Sequence, residues 1–363
     1  MARLVHPVAV VIALALSAAS ASAQANALWY IGTYSNDILV WDESTESVVD
    51  TIRTRHFIPM DVEPNASLNR LYVTDASMQN VEIVDLATRS VVDEFTLSEG
   101  RVVVRISGLA VRPDDEKAVV FAKRYTRLRD RYVVEGPWLL EYDLRAKQVT
   151  DTIPWPGGHE RDRVGFRYSP DGGTLYLFAE DIIALDAESF EETRRWKISE
   201  PLEPGLGRPS FGTAPNTYDD PATATSIFRM TDPIQNRRMM GIAQVRLAEN
   251  EVDFFTLGDA QPMRGFTVAP GGEKAYSFLS DVGRYEFWEF DLVNRTVSRR
   301  HPFPGRPRMG IQASADGKRL FVYVAGSTID VYDRATFEYL RTVTFDQDMT
   351  GGAVIPTGVG SGS

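Results

Sequence analysis

The chain closes on "MTGGAVIPTG", Met349 to Gly358, an apolar, strand-like run followed only by "VGSGS". A lone strand leaves its backbone N–H and C=O groups unpaired, so this one must find a partner elsewhere in the chain. Where that partner lies decides the fold.

The run is the last of a series. The same line recurs seven times, as "FIPMDVEP" (57–64), "ISGLAVRP" (106–113), "RVGFRYSP" (163–170), "RPSFGTAP" (208–215), "MRGFTVAP" (263–270), "RMGIQASA" (308–315) and "MTGGAVIP" (349–356). Small residues hold its third position (Gly108, Gly165, Ser210, Gly265, Gly310 and Gly351), with Pro59 the exception. Turn sequences such as "SPDGG", "APGGE" and "SADGK" follow, and mark tight hairpins. A second line, typified by "VEIVDLATRSVV" and "FWEFDLVNRTVS", also recurs seven times, as a strand, a polar turn usually opened by Asp, and a strand. Between the two lies a further β-rich run such as "RLYVTD" or "TLYLFA". Each unit therefore holds four strands, A to D, and repeats every 41–57 residues. That unit and period predict an all-β, seven-bladed β-propeller with four-stranded antiparallel blades. The first blade, "LWYIGTY…ILVWDE…SVVDTI", supplies strands B, C and D but no A. The orphan run is the missing A, and the ring is expected to close by pairing the C-terminal strand in the N-terminal blade.

The other end of the chain reads "MARLVHPVAVVIALALSAASASA", with a basic residue, an apolar stretch and a small-residue cleavage site. Residues 1–23 are thus expected to be a secretory signal peptide, 24–358 a single propeller, and 359–363 a disordered tail. No other apolar run reaches membrane length, so the mature chain is expected to be periplasmic or secreted, with no transmembrane segment. It contains no cysteine, which excludes disulfides, thiolate metal sites and c-type haem attachment within this chain. A formal net charge of −11 argues against nucleic-acid binding.

Most recurring residues have structural explanations. The small residues relieve crowding where inner strands converge, and the turn-opening Asp residues accept local N–H bonds. Trp29, Phe121, Tyr176 and Phe321 are read as core, and the sequon-like "NAS" at Asn65 and "NRT" at Asn294 as turns. Charge, however, sorts by face. In a meander blade the D–A and B–C loops open on one face and the A–B and C–D turns on the other. The turns are mostly acidic ("DDEK", "DAESFEE", "LAEN"), whereas the loops gather arginines. The candidate partner- or ligand-binding face comprises Arg124, Arg127, Arg129, Arg131, Arg163, Arg208, Arg264 and Arg308. The insertions "RYTRLRDRYVVEG" (124–136) and "TDPIQNRR" (231–238) fall on the same face, where repeat proteins commonly bind. Arginine's planar fork suits carboxylates.

Met60, Met263, Met309 and Met349 approach this face near the axis. Converging thioethers can bind soft metals, but filling a crowded channel mouth explains them better, so no metal site is assigned. His56, His159 and His301 precede A strands of different blades and share no ligand spacing. HExxH, GxSxG, P-loop and EF-hand patterns are absent, and no catalytic residue can be assigned.

The segment "RLYVTDASMQNVEIVDLATRSVV" (70–92) resembles the YVTN type of propeller repeat. The extended hairpin "RYTRLRDRYVVEGPWLLEYD", the plain blade "SPDGGTLYLFAEDIIALDAESFEE" and the long irregular blade 208–257 follow in an order similar to the propeller (beta) subunit of quinohemoprotein amine dehydrogenases. That resemblance implies a non-catalytic scaffold without a cofactor of its own. Its partners would be a small subunit bearing a tryptophan-derived quinone and a dihaem cytochrome c. The alternative is a solitary exported propeller binding a small acidic ligand or surface polymer, with Arg163, Arg264 and Arg308 round the channel mouth. A third reading comes from "YIGTYS" (30–35), which resembles the opening of lactonases of the phosphogluconolactonase type and implies a hydrolase.

Overall fold

The computed structural model describes residues 25–158, 160–161, 164–179, 181–197, 210–211, 222–232, 235–249, 251–307, 309–324 and 326–357. The expected signal peptide and tail lie outside these residues. Blade 1 takes β1 (Asn26–Thr33), β2 (Asp37–Asp42) and β3 (Ser47–Arg53). Blade 2 holds β4 (Pro59–Pro64), β5 (Arg70–Asp75), β6 (Asn80–Asp85) and β7 (Ser90–Thr96). Blade 3 holds β8 (Val102–Val111), β9 (Lys117–Arg127), β10 (Tyr132–Asp143) and β11 (Gln148–Ile153). In blade 4 these are β12 (Gly165–Tyr168), β13 (Thr174–Phe178), β14 (Ile182–Asp186) and β15 (Glu192–Trp196). Blade 5 follows with β16 (Ser210–Phe211), β17 (Thr223–Asp232), β18 (Arg237–Arg246) and β19 (Glu251–Asp259). Blade 6 has β20 (Met263–Val268), β21 (Lys274–Asp281), β22 (Arg284–Asp291) and β23 (Thr296–Pro302). Blade 7 has β24 (Met309–Ala313), β25 (Arg319–Val324), β26 (Thr328–Asp333) and β27 (Tyr339–Thr344), and β28 (Met349–Thr357) ends the chain.

These strands form seven four-stranded antiparallel sheets, and the first has the order β28-β1-β2-β3. The C-terminal strand is thus strand A of blade 1, as the sequence predicts. Its register runs from Asn26 opposite Thr357 to Ile31 opposite Gly352, with a bulge before Thr33 meets Met349. Side chains reinforce the closure: Thr33 Oγ1 donates to Gln347 Oε1 at 2.7 Å, and Thr357 Oγ1 to the Asn26 carbonyl at 3.1 Å.

The core lies in the seams between blades. In the closing seam Trp29, Trp41 and Phe321 meet edge to face with centroids 5.3–5.5 Å apart, each such pair adding about 0.5–1.5 kcal/mol. Phe121 and Tyr176 are likewise buried. The inner strands crowd as expected. A Cβ at Gly351 would fall against the Met60 carbonyl oxygen of the next blade. At Gly265, whose φ is +60°, a Cβ would lie 3.0 Å from Ile311.

The turns are built by their polar residues. Asp42, Asp85, Asp143, Asp186, Asp291 and Asp333 each accept backbone N–H bonds two or three residues on. Those bonds hold the Asp291 carboxyl down to about 2. Asn65 is buried and accepts from the Asn69 and Arg70 amides, and Asn294 Nδ2 donates to Asp291, so both sequon-like asparagines serve turns.

Candidate interaction face

On the face where the D–A and B–C loops open, blade 3 departs from its neighbours. Its β8, β9 and β10 run 10, 11 and 12 residues. Val102 to Arg105 pair with Lys123 to Thr126, and Tyr132 to Glu135 pair with Arg124 to Arg127. Four to five extra residues per strand make a three-stranded tongue standing about 15 Å beyond the blade. The sequence places the start of this A strand at Ile106; the structure begins it at Val102, because the lengthened hairpin offers four further backbone partners.

The tongue has two chemically different sides. Opposed residues share a side, so Val103, Tyr125 and Val134 lie together with Arg105, Arg127 and Tyr132. Tyr132 is 63% exposed and Val134 56%, far more than apolar strand residues in the blades' seams. The Arg105 guanidinium rests 5.3 Å from the Tyr125 ring. Neither Arg105 nor Arg127 pairs with a carboxylate among the described residues. The other side carries Val104, packed with Phe95 and Tyr142, and the Arg124–Glu135 pair at 3.6 Å. It faces blade 2 and is a supporting surface.

Of the arginines singled out in the sequence, Arg124, Arg127, Arg129 and Arg131 are brought together on the tongue or its tip, where Arg131 pairs with Asp130 at 3.0 Å. Arg264 is exposed on β20, in blade 6. Arg163, Arg208 and Arg308 lie outside the described residues. Two further arginines of this face are held in ion pairs. Arg237 meets Asp259 at 3.2 Å, and Arg306 meets Asp330 at 2.7 Å. Arg161 is buried and donates to the Pro156 carbonyl at 3.2 Å. Arg105, Tyr132 and Val134 were not evident as site residues. The alternation in "RYVVEG", an insertion with no core to face, is the signal that could have found them.

The methionines and histidines resolve as packing and pairing. Met263, Met309 and Met349 are buried in three different seams, and only Met60 is exposed. His56 Nε2 lies 3.3 Å from Glu94, and the His301 ring lies 6.0 Å from Phe337; His159 is outside the described residues. On the inner strand β4, Asp61 and Glu63 share a side. Burial, and next the charge of Asp61, pushes the Glu63 carboxyl up to about 8. Glu63 has no hydrogen-bond partner among the described residues.

No protein-family model and no curated protein sequence matches the chain. Solved structures share its architecture. A functionally unknown protein from Desulfotomaculum acetoxidans aligns with a TM-score of 0.57 at 16% identity, over 91% of this chain and 99% of its own. AztD from Citrobacter koseri aligns at 0.54 and 15% identity, over 92% and 98%. The dihydro-heme d1 dehydrogenase NirN, in complex with DHE, aligns at 0.53 and 14% identity, over 91% and 75%. At such identities the likeness is one of fold. The chain belongs to the class of seven-bladed β-propellers, and among its described residues no helix is long and apolar enough to cross a membrane.

Proposed function

We propose that this is an exported, non-catalytic propeller that holds an acidic protein partner against the blade 3 tongue. One observation carries the reading: Tyr132 and Val134 are exposed on a side that also presents Arg105 and Arg127, and neither arginine pairs with a carboxylate among the described residues. Exposed aromatic and arginine residues around an apolar patch are the composition of an interface centre. The unbalanced positive charge selects a partner surface bearing Asp or Glu.

The particular assembly we propose is that of a quinohemoprotein amine dehydrogenase. The chain would be its beta subunit, beside a small subunit with a tryptophan-derived quinone and a dihaem cytochrome c. The order of blades 3 to 5 and the absence of cysteine support this reading, since quinone cross-links and haem would then belong to the partners. The leader-like residues 1–23 support a periplasmic location for the chain.

A tagged copy purified from the periplasm of its own host tests both levels. The expected eluate contains haem absorbance and a small chain that stains for quinone redox cycling. An Arg105→Glu/Arg127→Glu/Tyr132→Ser variant is expected to fold normally and come out alone. A colourless monomer from the unaltered protein overturns the assembly and leaves a free-standing propeller. Unchanged co-purification by the variant overturns the tongue as the docking site.

A further inference from the structure

The repeat contains a position that plugs each seam on the face opposite the tongue. It is the residue after the C–D turn opener: Glu43, Leu86, Leu144, Ala187, Leu247, Leu292 and Arg334. All seven are equivalent in structure, because each backbone N–H donates to a carbonyl at the start of strand B in its own blade. Leu86, Leu144, Ala187, Leu247 and Leu292 fill the seam with the preceding blade. The two exceptions flank blade 7, and they differ from each other. Glu43 is fully buried and satisfied, accepting from Trp29 Nε1 at 3.1 Å and from the Ala315 amide at 2.8 Å.

Arg334 is not matched in this way. Where it replaces the apolar plug, a groove of about 510 Å³ opens between blades 6 and 7. That volume is within the range of small-ligand sites. Its floor carboxylate is already saturated: Glu289 accepts from Ser298 Oγ at 2.7 Å, Tyr276 Oη at 3.1 Å and Lys274 Nζ at 3.3 Å, with Arg299 at 3.5 Å. Lys274 is shared with Asp291 at 3.2 Å. The Arg334 guanidinium donates once, to Tyr276 Oη at 3.0 Å, and pairs with no carboxylate among the described residues. Arg299 Nε is buried in the same wall with no hydrogen-bond partner among the described residues, while its other nitrogens donate to the Ala335 and Arg334 carbonyls. Three cations (Lys274, Arg299, Arg334) therefore line the groove with two carboxylates, the engaged Glu289 and the exposed Glu273, and Lys274 also meets Asp291 outside the lining.

We propose that this groove binds a small molecule carrying a carboxylate or phosphate group on a polar body, with Arg334 as the residue that recognises the oxyanion. A guanidinium with uncommitted donors in a polar, walled groove matches two oxygens at once. A site lined mainly by polar and charged side chains, with only Pro270, Ala335 and the Tyr276 ring as apolar surface, favours a polar body. This ligand is independent of the partner on the opposite face, and the site stands or falls without it.

Thermal unfolding in inorganic phosphate and in malonate, against chloride at equal ionic strength, tests the proposal. One or both anions are expected to raise Tm by about 2 °C or more in the unaltered protein, because binding to the native state alone stabilises it. A phosphate-only response assigns a phosphate-bearing ligand, and a malonate-only response a carboxylate. Arg334→Leu restores the plug that four other blades use, so it should fold, and it should lose the response. Arg145→Leu, in an equivalent turn of blade 3, should keep it. No response to either anion, or the same response in Arg334→Leu, overturns the proposal.

Discussion

Glu43 shows how a single residue can tie ring closure to pH. It sits where blades 7 and 1 meet, with Arg319 at 3.9 Å and Asp316 beyond, and Arg319 also pairs with Glu46 at 2.8 Å. Burial pushes its carboxyl up to about 7 despite the bonds from Trp29 and Ala315. The folded state therefore holds the proton more tightly than the unfolded chain, where the group titrates near 4.5. Its contribution is fully present below pH 4.5 and is lost as pH rises through 7, on the order of 3 kcal/mol across that window. Glu43→Gln should flatten this part of the stability-against-pH curve, measured by urea unfolding at a series of pH values. An unchanged slope would mean the group titrates normally. Steric precision is tested at Gly351, where a Cβ would strike backbone rather than a movable side chain. Gly351→Ala should cost about 1–3 kcal/mol or more, read as a lower urea midpoint.

At the scale of the element, two blades share a device that holds strands B, C and D together. In blade 3, Lys117 Nζ lies 2.9 Å from Glu141 Oε1, and Thr150 Oγ1 donates to Oε2 at 2.6 Å. In blade 6, Lys274, Glu289 and Ser298 repeat it. Glu141→Ala removes the one ion pair Lys117 makes among the described residues, leaving only the more distant charge of Glu188, and should destabilise by about 1–3 kcal/mol in urea unfolding. The sequence disclosed strand identity and order well, because small residues at the head of strand A and Asp in the C–D turn each answer a local steric or hydrogen-bonding need. It disclosed the site less completely. That blade 3 lengthens was visible in "RYTRLRDRYVVEG", but which side of the tongue stays bare depends on Val104 packing against Phe95 of another blade. Likewise the sequence does not show that Asp259 and Asp330 meet Arg237 and Arg306; strand β19 brings the first beside Arg237, and strand β26 of blade 7 brings the second beside the loop residue Arg306. The Arg334 exception was present in the repeat from the start. It gains meaning only once Leu86, Leu144, Leu247 and Leu292 are seen to fill the seams that Arg334 leaves open.

At the scale of the whole molecule, the two proposed sites lie on two different faces. Blade 3 reaches out on one side, and the seam between blades 6 and 7 opens on the other, so the proposed partner and the proposed small ligand would not compete. In the ring between them, each blade packs on two neighbours through an apolar seam. Its weakest point is a matter of chain entropy. The hydrogen bond between Thr357 and Asn26 joins residues 331 apart, and closing a loop of that length costs about 4 kcal/mol more than closing a short hairpin. Six sheets can therefore form from consecutive strands while the seventh waits for the two ends to meet. A circular permutant that begins at Arg55 and links Thr357 to Asn26 makes every sheet local. It should refold faster than the natural order in stopped-flow measurements, and an unchanged refolding arm would place the meeting of the ends after the rate-limiting barrier. The permutant should also unfold faster, since its last joint is held by side chains alone. The natural order thus trades speed of assembly for kinetic durability: once zipped, the ring has no blade at either end that can peel away by itself.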